Sequence, residues 1–75
     1  MEKVKEIEVR ACKDTAAGCV HWVPEDSAEY FSVYGGGAGY FGWVADFADK
    51  LDALNFGKAR AMRLGAEFVN RIGVL

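Results

Sequence analysis

The stretch that most constrains this chain is Glu29–Val44, where two aromatic segments flank a run of glycines. Tyr30, Ser32 and Tyr34 alternate with Phe31 and Val33, and a period of two is the mark of a strand whose two faces meet different surroundings. Gly35-Gly-Gly-Ala-Gly39 follows, a turn able to take positive φ at almost any position. Tyr40–Val44 then reads as the return strand. A hairpin this aromatic must cover at least one face, and a chain of 75 residues has material for a single domain, residues 1–75, to do so.

The same alternation occurs near the start. Ile7, Val9 and Ala11 alternate with Glu6, Glu8 and Arg10, so Lys3–Cys12 is expected to be a strand with one buried face. Lys13–Gly18 reads as a loop, and Cys19–Val23 as a second strand that closes a hairpin and stops at Pro24. Lys58–Arg71 is expected to be the main helix. Ala59, Met62, Ala66 and Val69 join Ala61, Leu64, Gly65, Phe68 and Ile72 in a broad apolar face opposite Arg60, Arg63, Glu67, Asn70 and Arg71. Asn55 offers an N-cap and Gly73 a C-terminal stop. Between hairpin and helix, residues 45–56 fit two readings. Val44, Phe47, Ala48, Leu51 and Leu54 have helical spacing, yet an acidic loop leading to a brief strand, Ala53–Phe56, fits as well.

Composition supports a folded core: 52% of the residues are hydrophobic, including five Phe, three Tyr and two Trp. A domain this small buries only about 60% of its unfolded surface, so a homodimer would help it. No apolar run nears the roughly 20 residues that span a bilayer, and the opening Met-Glu-Lys-Val-Lys-Glu lacks the apolar stretch of a signal peptide. A cytoplasmic setting is the expectation, with Cys12 and Cys19 as free thiols.

The charge balance argues against a general nucleic-acid binder. The net charge is -2, and residues 14–52 carry Asp14, Glu25, Asp26, Glu29, Asp46, Asp49 and Asp52 against Lys50 alone. Solvated acids explain this most simply. The sharper reading is a patch that steers a basic protein surface into contact. Tyrosine is a favoured interface anchor, so the candidate partner-binding residues are Tyr34, Tyr40, Asp46, Asp49, Asp52, Glu25, Asp26 and Glu29. The bases Lys58, Arg60 and Arg63 are expected to be solvated on the helix.

Catalytic and cofactor patterns are thin. Gly37-Ala-Gly-Tyr-Phe-Gly42 has the spacing of a phosphate-cradling glycine loop, but neither the dinucleotide nor the kinase form fits in a chain this short, and five glycines within eight residues make the spacing easy to reach. Cys12, Cys19 and His21 supply three metal ligands without the close cysteine pair that structural zinc favours. They also lack a positioned third group for a cysteine nucleophile. Gly39–Val44 shares aromatics with RNA-recognition strands, but an extra residue changes the face of the later side chains. No enzyme, cofactor or metal is expected.

From Glu29 onward the order of features resembles a type common among small phage- and prophage-encoded proteins of unassigned function. It comprises an aromatic strand (Tyr30–Tyr34), a glycine turn, a strand with Trp43, an acidic stretch (Ala45–Asp52), an Ala-x-x-Phe strand (Ala53–Phe56) and an alanine-rich helix (Lys58–Arg71). The resemblance covers residues 29–71, leaves the first hairpin outside, and is what favours a strand at Ala53–Phe56. Among small phage proteins, inhibitors of the anti-CRISPR kind are similar in size and often acidic, and that likeness in size and charge implies a chain that blocks a nucleic-acid-handling host protein. The expected fold is α+β: a small antiparallel sheet of four to five strands, two hairpins plus a short strand, packed against one C-terminal helix. The expected function is a protein-binding module. The alternative is a single-stranded nucleic-acid-binding module that uses hairpin aromatics and helix bases.

Overall fold

Alternation along Glu6–Asp14 gives the strand (β1) on which the molecule is built. Ile7, Val9 and Ala11 point to one side and are buried, while Glu6, Glu8, Arg10 and Cys12 point to the other. The computed structural model describes residues 4–16, 18, 20–37 and 40–73, with Tyr40 described by its backbone. After β1 come Val20–Trp22 (β2), a 3-10 turn at Glu25–Ser27, Tyr30–Gly37 (β3), Tyr40–Phe47 (β4), a helix at Lys50–Leu64 (α1) and Glu67–Asn70 (β5).

The fold is α+β, with four antiparallel strands in the order β2-β1-β3-β4 and one helix. β3 runs along one edge of β1 from Glu6↔Gly36 to Cys12↔Tyr30. The other edge is shared. β2 takes Cys12–Asp14, and β5 takes Glu6–Val9 in parallel. A parallel partner cannot be reached by a tight turn, and α1 supplies the crossover from β4 to β5. The short strand thus lies at Glu67–Asn70, after the helix, and Ala53–Phe56 belongs to α1.

Capping explains the shift of the helix. Asp49, in extended conformation, accepts from the Asp52 backbone N–H at 3.2 Å and starts α1, so Asn55 lies inside the helix. Gly65 adopts φ 67° and returns its N–H to Ala61 and Met62, which ends the helix well before Gly73. The expected apolar stripe shifts accordingly. Ala53, Gly57 and Ala61 form the buried stripe, whereas Met62 is 83% exposed.

The core lies between this stripe and the sheet. Ile7, Val9, Val33, Ala53 and Ala61 are buried, with Phe31, Val44, Phe47, Leu54, Phe56 and Phe68 packed around them. Small residues on α1 let it approach closely: a Cβ at Gly57 would sit 2.8 Å from the Phe68 ring and 3.1 Å from Val9. The glycine run is also more ordered than a turn. Gly35, Gly36 and Gly37 continue the ladder opposite Gly42, Phe41 and Tyr40, and the connection through Ala38 and Gly39 lies outside the described residues. β4 extends through Ala45, Asp46 and Phe47, where a loop was expected. Its register shifts between Val33 and Tyr34, which leaves Val44 as the extra residue of a bulge.

Two substitutions test this packing by urea unfolding. Gly57→Val should lower the unfolding free energy by about 2 kcal/mol from overpacking against Phe68 and Val9. Asp49→Ala should lower it by about 1 kcal/mol through loss of the cap. Unchanged midpoints would refute the helix placement.

Candidate interaction face of the sheet

α1 covers one face of the sheet, and the other bears side chains alone. β1 gives it Glu6, Glu8, Arg10 and Cys12, and β3 gives it Tyr30, Ser32, Tyr34 and Gly36 by register. β4 adds Phe41, Trp43 and Asp46, paired with Gly36, Tyr34 and Ser32, and β2 adds Val20 and Trp22. Trp43 and Asp46 are three residues apart and would point to opposite sides of a regular strand. The bulge at Val44 puts both on this face.

Beneath the surface of this face lies a buried carboxylate. Glu8 is 4% exposed. Its Oε2 accepts from Arg10 Nε at 2.6 Å and its Oε1 from Arg71 Nε at 3.0 Å, while Arg71 also reaches Glu6. Two guanidinium partners satisfy a charge that would otherwise be costly to bury. Arg71 arrives here because its backbone N–H extends the β5 ladder to Val9 O.

Above that layer sits an aromatic cluster. The Arg10 guanidinium carbon lies 3.7 Å from the Trp22 ring centroid. Trp22 meets Tyr34 and Phe41 edge to face at 6.0 and 6.3 Å, and Tyr34 stacks on Phe41 at 5.1 Å. Trp22 Nε1 donates to the Tyr34 hydroxyl at 3.4 Å. Tyr34 is therefore buried, and the rings that meet solvent are Trp22 (42% exposed), Phe41 (53%) and Trp43 (63%). Trp43 Nε1 donates to Asp46 Oδ1 at 2.8 Å, and the Ser32 hydroxyl donates to the same oxygen. At one end of the face, a hollow of about 320 Å³ is lined by Lys5, Glu6, Glu8, Gly36, Gly37 and Phe41.

The residues singled out from sequence are distributed over several elements. Tyr34 and Asp46 share the open face. Tyr40 lies on β4, with its side chain outside the described residues. Asp49 caps α1 and Asp52 stands in its first turn. Glu25 pairs with Lys50 at 2.8 Å, Asp26 is exposed in the 3-10 turn, and Glu29 accepts from the Asp14 backbone N–H. Sequence reasoning missed Trp22, Phe41 and Trp43 as the exposed rings, and Glu8 with Arg10 as their support. The alternation that placed Glu8 and Arg10 opposite Ile7 and Val9 was the available signal. Of the zinc candidates, Cys19 lies outside the described residues, and no group of three potential ligands occurs among those described. Among them, too, no helix is long and apolar enough to cross a membrane.

Two tyrosines resist ionisation. Burial, then donation of its hydroxyl to Asp14 at 2.7 Å, raises the Tyr30 phenol well above its ordinary value, and burial raises Tyr34. Both stay protonated in the fold at a pH where an unfolded chain ionises its tyrosines, near about 10. Their contribution to stability is complete below that pH and declines as pH rises above it. Phenolate absorbance should therefore show Tyr30 and Tyr34 ionising at a higher pH in the folded chain than in urea. Independently, Glu8→Ala should cost about 3 kcal/mol by removing the buried carboxylate that both Arg10 and Arg71 bond, whereas Glu25→Ala, at the exposed pair, should cost under about 0.5 kcal/mol. Equal losses on urea unfolding would contradict the buried network.

Comparison with protein-family models, curated proteins and solved structures finds no match. What the open face does follows from its own rings and charges.

Proposed function

We propose that this chain is a protein-binding module that works by occupancy rather than catalysis, with the uncovered face of its sheet as the contact surface. The observation that carries this reading is the set of rings Trp22, Phe41 and Trp43, exposed together on a rigid sheet and ordered by contacts beneath them. Aromatic and arginine side chains on a preorganised surface are the usual anchors of protein interfaces. The partner is a basic surface. Asp46 lies on the face with no basic partner among the described residues, while the arginines of the face, Arg10 and Arg71, are engaged with Glu8 and Glu6. A nucleic-acid-handling host protein has such a surface, and blocking it is the action of small phage-encoded inhibitors, which this chain matches in size and acidity. The setting is cytoplasmic, in keeping with the buried free thiol of Cys12.

This surface replaces the acidic stretch as the focus. Reversing Asp46 and Asp49 together would be a poor probe, because Asp49 is a helix cap. Single-stranded nucleic acid is the second reading, and exposed rings on an open sheet favour it, since bases stack on such platforms.

The test compares wild type with a Phe41→Ser, Trp43→Ser double variant as bait in bacterial lysate, with and without nuclease. A stoichiometric protein retained by wild type after nuclease and lost by the folded double variant is the expected result. Equal capture by both would refute the face as the contact surface. Recovery that vanishes with nuclease, together with an affinity for single strands that falls steeply with salt, would transfer the function to nucleic acid.

A further inference from the structure

Rings and carboxylates occur as pairs on the open face, and one pair is already occupied. Trp22 has the Arg10 guanidinium over its ring at 3.7 Å, while Arg10 Nε donates to Glu8 at 2.6 Å. An indole face and a carboxylate hold one guanidinium between them. Trp43 and Asp46 repeat that chemistry on β4. The indole N–H and the Ser32 hydroxyl both bond to Asp46 Oδ1, which fixes the carboxylate at the edge of the ring. Asp46 Oδ2 accepts no hydrogen bond from any described residue, and no cation among the described residues lies over the Trp43 ring. The ring is 63% exposed, the most open aromatic among the described residues.

We propose that Trp43 and Asp46 form a recognition subsite for an arginine side chain of the protein partner. Its guanidinium lies on the indole face and donates to Asp46 Oδ2. This rests on the open face being the contact surface, and it names the side chain that the face reads. Arginine fits better than lysine for two reasons. Its planar group stacks on an indole while its fork of N–H donors meets a carboxylate, and it is more weakly hydrated than an ammonium. Charge complementarity selects the same partner, since Asp46 has no basic partner among the described residues, while Arg10 and Arg71 are paired with Glu8 and Glu6. The Ser32 contact gives the subsite rigidity: Ser32 is buried, so the carboxylate it holds does not have to be ordered when the cation arrives.

The experiment uses short capped peptides of glycine and serine that carry arginine, lysine or neutral citrulline. Binding is read from the indole N–H resonances, with Trp43 assigned through Trp43→Phe. The arginine peptide should shift the Trp43 resonance, the lysine peptide should bind more weakly, and citrulline should leave it in place. Asp46→Asn keeps an acceptor for Ser32 and Trp43 and removes the charge. It should weaken arginine binding about tenfold with the thermal midpoint close to wild type. Citrulline binding as well as arginine, or an affinity indifferent to Asp46→Asn, would overturn the subsite. If arginine peptides fail to bind while the Phe41→Ser, Trp43→Ser variant still loses its protein partner, the subsite falls and the contact surface stands. If that variant keeps its partner as well, both fall.

Discussion

β1 is bonded on both edges and packed on both faces, and the remaining elements are arranged around that double constraint. β3 occupies one edge, and β5 and β2 divide the other. Its apolar residues meet α1, and of its charged residues Glu8 is buried as well. The Glu8 carboxylate is bonded by Arg10 at one oxygen and Arg71 at the other, which offsets the cost of burying it. Arg10 then supports Trp22, and Trp22 leans on Tyr34 and Phe41. The aromatic surface is thus an outgrowth of the buried ion pairs below it.

The hairpins were legible in the sequence because period-two alternation survives in β1 and β3, where each face has a distinct environment. The helix boundaries were not. Large apolar side chains dominate a periodicity argument, yet α1 buries Ala53, Gly57 and Ala61, whose contribution is to let backbone and sheet approach. Met62, which strengthened the expected stripe, points to solvent. Two glycines competed to end the helix, and Gly65, in left-handed conformation, stops it first. The four residues of β5 are too few to show a period, and their pairing with β1 is a tertiary fact.

The candidate face was legible in part. The aromatic hairpin and Asp46 stood out from composition and charge, but which rings face solvent depends on the register. One bulged residue, Val44, decides the matter for β4. With strict alternation, Trp43 and Asp46 would lie on opposite sides of the sheet. No local feature of Gly-Trp-Val-Ala-Asp announces the bulge. The acids that looked like one patch are shared among a cap, an exposed ion pair and a hydrogen bond to the indole.

The pairing of β5 with β1 has a consequence for how the chain comes into being. The Glu6–Val9 part of one edge of the founding strand finds its partner only at Glu67–Asn70, so it stays open while almost all of the described chain is synthesised. Arg71, the second partner of Glu8, comes later still. A nascent chain lacking these residues would present Ile7 and Val9 beneath an incomplete cover and a carboxylate short of a counter-ion. Folding is then completed only after β5 is made, and a topology so rich in distant contacts closes slowly. During that interval the unfinished edge is where a chaperone, or a neighbouring nascent chain, would first take hold.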